Sequence, residues 1–183
     1  MLQRELQHTL HARTLALHER SAELTRPLDP EQLVRRPPNG GWSVGHVLEH
    51  LCVGSELYEP AIRALLRDAR PDAAAPLRVW KPTLVGRVMV RAFERPAKLP
   101  SPKSMVPAAT PRGGVVERWL GHLDTQARLL DEASGYDWRR LRMASPAVWL
   151  PLKVLNLGDA FSILVAHAER HARQMERVVA TLA

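Results

Sequence analysis

A chain of 183 residues, 45% of them hydrophobic, can enclose a core without disulfide staples, which excludes a disordered protein. No stretch approaches the ~18 uninterrupted apolar residues of a membrane-spanning helix. The formal net charge is +7, and of 26 basic residues all but Lys81, Lys98, Lys103 and Lys153 are arginine.

The first amphipathic segment covers about residues 2–24, with Leu2, Leu6, Leu10, Leu17 and Leu24 on one stripe of a 3.6-residue period. Arg26-Pro27 ends it, because the residue before a proline is pushed out of the helical region. A short turn follows, with Asp29 as N-cap, Pro30 at the first helical position and Gln32 completing a capping box. The run Pro37-Pro38-Asn39-Gly40-Gly41 is a break, after which Ser43 caps a second long helix reaching to about residue 70, before Pro71.

Residues 71–111 form a long crossover with a short basic helix at about 84–93. Its second part, studded by Pro96, Pro100, Pro102 and Pro107, is extended or irregular. The third long helix begins near Thr110-Pro111 and runs to about residue 133. Val116, Trp119, Leu120, Leu123, Ala127 and Leu130 form its stripe. After Gly135 a loop of about 20 residues carries Trp138, Trp149 and Pro151, a length that usually signals function or docking. Asn156 caps the last helix, with Asp159 in its first turn. No segment alternates like a half-buried strand. The expectation is an all-α, four-helix bundle with a long crossover between the second and third long helices, one domain over residues 1–183.

Eight histidines are present, and their helical faces separate them. In the last helix, Leu157, Ala160, Leu164, Met175, Val178 and Leu182 mark the apolar face, and His167 and His171 lie inside that arc. In the second, His50 sits at the edge of the face marked by Val47, Leu51, Leu57, Ala61 and Leu65, with His46 one turn earlier. Buried imidazoles need partners, and histidines four apart can reach one ion, so two inward pairs on two helices point to a metal site. The bland alternative is a set of core histidines. His8, His11, His18 and His122 lie off the apolar faces. His46-Val47-Leu48-Glu49-His50 also matches the inverted zinc-peptidase pattern, with Glu49 as general base, but that reading leaves His167 and His171 without a role.

The stretches 41–51 (Gly-Trp-Ser-Val-Gly-His-Val-Leu-Glu-His-Leu), 164–174 (with its His-x-x-Arg-His-x-x-Gln) and the proline-bounded 100–107 resemble the DinB-like superfamily, the YfiT-type metal-binding four-helix bundles. The resemblance implies that His50, His167 and His171 are ligands of one divalent ion, zinc or nickel. It places His46 and Gln174 near the site without a bond to the ion. An ion held by three imidazoles keeps an open position, as catalytic rather than structural sites do. Some members of the superfamily use bacillithiol or mycothiol, and others resemble metal-dependent hydrolases.

The leading expectation is a thiol S-transferase, with a low-molecular-weight thiol as co-substrate that Lys98 and Lys103 could meet. The alternatives are a metal-dependent hydrolase, with Glu49 as a weak catalytic candidate, and a non-enzymatic metal- or ligand-binding stress-response bundle. The expected partner is a small-molecule substrate, with a homodimer left open. Nucleic acid is disfavoured, because Arg63, Arg67 and Arg70, and Arg87, Arg91 and Arg95, form one-sided clusters with no interleaved aromatic rings. No membrane partner is expected. Charged residues through the first turns of the chain lack the apolar run of a signal peptide, and the lone Cys52 forms no internal disulfide. A cytoplasmic location follows as an expectation.

Overall fold

The computed structural model describes residues 1–95, 100–147 and 152–182. The helices are α1 (Gln3–Thr25), α2 (Pro30–Val34), α3 (Val44–Arg67), α4 (Leu84–Glu94), α5 (Val115–Glu132) and α6 (Leu157–Val179). Four of them, α1, α3, α5 and α6, form a four-helix bundle. α1 packs on α5 and α6, and α3 packs on the same two, so the consecutive long helices α1 and α3 stand diagonally across the bundle. α4 lies outside, along α6. Among the described residues no helix is long and apolar enough to cross a membrane.

The caps behave as local chemistry dictates. Asp29 accepts from the backbone N–H of Gln32 at 2.8 Å, and Asn156 accepts from that of Asp159 at 2.9 Å. Leu6, Leu10 and Leu17 of α1 are buried against Trp119, Leu123 and Leu130 of α5 and the inner face of α6. Buried polar groups between α1 and α5 are paired. Trp119 Nε1 donates to Ser21 Oγ at 3.0 Å, and Gln126 donates to Thr14 Oγ1 at 2.9 Å.

Two boundaries differ from the sequence pattern. α5 starts at Val115 instead of near Pro111, because Gly114 adopts φ +63°, a left-handed conformation that breaks the helix on its N-terminal side. Residues before it are drawn onto α3, where the Arg112 backbone N–H donates to Glu49 at 3.0 Å. α3 stops at Arg67, three residues short of the expected end, with Asp68 as C-cap. The region after α5 also holds a two-stranded antiparallel ladder, β1 (Arg142–Met143) with β2 (Leu155–Asn156). Two residues are too few to show an alternating pattern in a sequence. Trp149, Pro151, Pro96 and Lys98 lie outside the described residues.

Candidate metal centre

α3 and α6 are neighbours, and their facing surfaces bring three imidazoles together. His50 Nε2 lies 3.0 Å from His167 Nε2, which lies 3.1 Å from His171 Nε2. One nitrogen of each ring falls within 4.8 Å of the other two. The tautomers of two rings follow from their outer nitrogens. His50 Nδ1 donates to the Met105 carbonyl at 2.7 Å, and His171 Nδ1 donates to Gln174 Oε1 at 2.9 Å. Both Nε2 atoms therefore present lone pairs inward.

The donor set fits a divalent ion. Two ligands bonded at about 2.1 Å are about 3.0 Å apart at a right angle and about 3.4 Å apart at the tetrahedral angle. The observed 3.0 and 3.1 Å fall at the start of that range. Burial lowers the pKa of all three rings, that of His50 despite its bond to Met105. His171 is pushed down to about 3 by burial and then by His50, and His167 falls well below its ordinary value for the same kind of reasons. The rings are neutral at pH 7, the form that binds metals.

The cluster opens into a cavity of about 1380 Å³. Trp42 covers the rings, 5.0 Å from His50 and 6.4 Å from His171 between centroids, and Phe93 of α4 lies 5.0 Å from His167. Met105, Ile163 and Leu164 add apolar wall, while Arg95, Arg170 and Arg173 supply positive charge.

The other candidates are placed elsewhere. His46 spends both nitrogens on structure: Nε2 donates to the Ala109 carbonyl at 2.9 Å, and Nδ1 accepts from Ser43 Oγ at 2.7 Å. Glu49 turns away from the imidazoles. Arg112 Nε donates to it at 2.5 Å and Arg118 Nη2 at 2.7 Å. Burial alone would raise its pKa, but these bonds together outweigh burial and hold it below the ordinary value. The inverted-peptidase arrangement, which needs His46 and His50 on one ion with Glu49 beside it as general base, is not formed. Lys103 is exposed and lines no part of the cavity. Burial pushes the Cys52 thiol up to about 12, so it is no nucleophile. His122 bonds Glu59 at 2.7 Å, and His11 and His18 face Asp131 and Asp124.

Sequence reasoning gave no role to the Met105 carbonyl, Trp42 or Phe93. Every residue has a carbonyl, so Met105 carried no signal. Trp42 was visible only within the Trp-Ser opening, and Phe93 only as one apolar residue of a short helix.

With this geometry in view, the family model of the DinB superfamily matches residues 13–175. The chain belongs to the DinB superfamily. No curated protein matches it. Among solved structures it is similar to YfiT from Bacillus subtilis, with a TM-score of 0.59 and 15% sequence identity over 96% of this chain and 87% of that one. That protein is described as a probable metal-dependent hydrolase with an unusual four-helix bundle topology. At this identity the likeness establishes the DinB fold, and chemistry has to be argued from the site.

Proposed function

We propose that this DinB-superfamily chain is a metal-dependent enzyme in which His50, His167 and His171 hold one divalent ion, zinc or nickel. Its proposed reaction transfers a low-molecular-weight thiol of the bacillithiol or mycothiol type to a small apolar electrophile. The observation that carries this reading is three converging neutral imidazoles beside a largely apolar cavity from which Glu49 is turned away. An ion on this donor set supplies Lewis acidity, lowering the pKa of a coordinating thiol or water and polarising an electrophile.

The chain's own groups orient and exclude. Met105 and Gln174 fix two rings, Trp42 and Phe93 shut out water and seat the apolar body, and the arginines of α6 suit the acidic groups of the thiol. In the transfer the thiol sulfur bonds to the electrophilic carbon, the leaving group departs with the bonding pair, and the thiol proton passes to solvent. No carboxylate base is required. Hydrolysis gains from one, and among the described residues lining the cavity the only carboxylate is the exposed Glu94, whose charge acts on Arg13.

Metal-dependent hydrolysis is the second reading, favoured by the likeness to YfiT. The test compares zinc- and nickel-loaded protein in two assays: conjugation of an aryl halide by a low-molecular-weight thiol, and turnover of an activated ester without thiol. Thiol-dependent conjugation lost in His167→Ala supports the transferase. Ester turnover alone supports the hydrolase. Activity in neither, with stoichiometric metal across several thiols, favours a binding module.

A further inference from the structure

At 1.5 Å per residue, Asn156 at the start of α6 stands about 16 Å along the helix from His167. Beside it is a separate cavity of about 670 Å³. Five cationic side chains line it, Arg78, Lys81, Arg139, Arg140 and Arg142, against one carboxylate, Asp137. Asp137 is shared between Arg78 at 3.7 Å and Arg140 at 3.5 Å, and Arg78 also holds Asp72 at 2.9 Å. Among the described residues no carboxylate lies within ion-pair distance of Lys81, Arg139 or Arg142. Arg139 Nη1 donates to the Val79 carbonyl at 3.3 Å and Arg142 acts on the buried Asp159 beyond ion-pair distance, so the cleft keeps a surplus of positive charge.

The fold holds these groups together against their mutual repulsion. Trp138 is fully buried. Its backbone N–H donates to Gln3 Oε1 at 2.9 Å, its Nε1 to the Ala133 carbonyl at 2.9 Å, and its ring packs on Phe161. The Leu157 N–H then bonds the carbonyls of both Trp138 and Leu141. With Trp138 and Met143 anchored inward, Arg139, Arg140 and Arg142 are left facing out. The other wall is fixed as firmly. The Gln3 N–H donates to the Arg78 carbonyl at 2.9 Å, and Trp80 rests on Gly158, where a Cβ would collide with the indole, while its Nε1 donates to Asn156 at 3.1 Å.

We propose that this cleft binds a small molecule carrying two or more phosphoryl groups, such as a nucleoside diphosphate. Guanidinium groups match phosphate oxygens in paired hydrogen bonds, and cations on two rigid walls favour a ligand with more than one anionic centre. The cavity lies in the size range of small-molecule sites, about 300–1,000 Å³. A nucleic-acid strand is disfavoured, since the cations are gathered in one concavity and both neighbouring indoles are turned into the fold, leaving no ring for bases.

Calorimetric titration of the metal-loaded protein with inorganic pyrophosphate, ADP and orthophosphate tests the site. Because pyrophosphate and ADP also chelate metals, His171→Ala is titrated in parallel. The expected result is one pyrophosphate and one ADP site, unchanged in His171→Ala, at least tenfold weaker in the exposed pair Arg139→Ala/Arg142→Ala, and weakened by salt. Orthophosphate binds at least tenfold more weakly. The arginine double variant should melt at the wild-type temperature, so its loss of binding is not unfolding. Absence of saturable pyrophosphate binding at millimolar concentration, equal affinity in the double variant, or tighter binding of a short oligonucleotide than of ADP through the same arginines would overturn the proposal.

Discussion

Helical face set apart the pairs His46/His50 and His167/His171 in the sequence, and the family resemblance narrowed the ligands to His50, His167 and His171. The structure puts His167 Nε2 3.0 Å from His50 Nε2 and 3.1 Å from His171 Nε2. What the sequence could not provide was the second layer: the carbonyl of Met105, 55 residues beyond His50, and the rotamer that aims Gln174 back at His171. Gln174→Ala should retain the fold and weaken metal affinity about 10- to 100-fold, as loss of such outer partners does, read by competition with a chelator. His50→Ala and His171→Ala should each abolish stoichiometric metal with the bundle intact. Full metal in either variant would place the site elsewhere.

Acidification of the metal-free chain gives a sign that can be worked out. The folded rings titrate below their ordinary pKa, about 3 in the case of His171. Between pH 6.5 and those lower values the unfolded chain therefore takes up protons that the folded chain refuses. Stability should be level above about pH 6.5 and fall as pH drops, by up to about 1.4 kcal/mol per pH unit for each ring. Denaturant midpoints from pH 7.5 to 5 check this, and His171→Ala should show the shallower slope.

At the scale of elements, α3 is tied at two points on adjacent faces: to the crossover by His50 with Met105, and to the entry and first turn of α5 by Glu49 with Arg112 and Arg118. Glu49 illustrates why direction was hard to read from spacing. It lies about 100° from His50, so it could have faced either the site or the neighbouring helix, and two arginines of a distant segment decided the matter. Removing both arginine side chains leaves a buried carboxylate with no cation and only the backbone N–H of residue 112 as partner. Arg112→Ala/Arg118→Ala should cost about 3–5 kcal/mol in equilibrium unfolding, whereas Glu49→Gln should cost less and leave metal content unchanged. Loss of metal in Glu49→Gln would revive its role as a site residue. Helix starts were legible where a side chain caps them, as at Asp29, Ser43 and Asn156. The start of α5 was misplaced because Gly114, a backbone conformer with no cap signature, sets it.

For the whole molecule, periodicity sufficed for four long helices and their crossover, since each carries one apolar stripe. It could not say which helices are neighbours. The diagonal placement of α1 and α3 depends on the path of residues 26–43 between them, and it is this placement that puts α3 beside α6. Bound metal should stabilise the chain by mass action, about 4 kcal/mol at a thousandfold excess over Kd. Over a chain of this length that corresponds to roughly 8–16 °C in melting temperature, reversed by a chelator. The separation of the ligands carries a further consequence for kinetics. His50 and His167 are 117 residues apart, so the ion can engage them together only after the first and last parts of the chain have met. The ion then acts as a latch fitted after assembly. Stopped-flow refolding should proceed at the same rate with and without metal, while unfolding slows by nearly the whole equilibrium gain, making the loaded protein long-lived without making it fold faster.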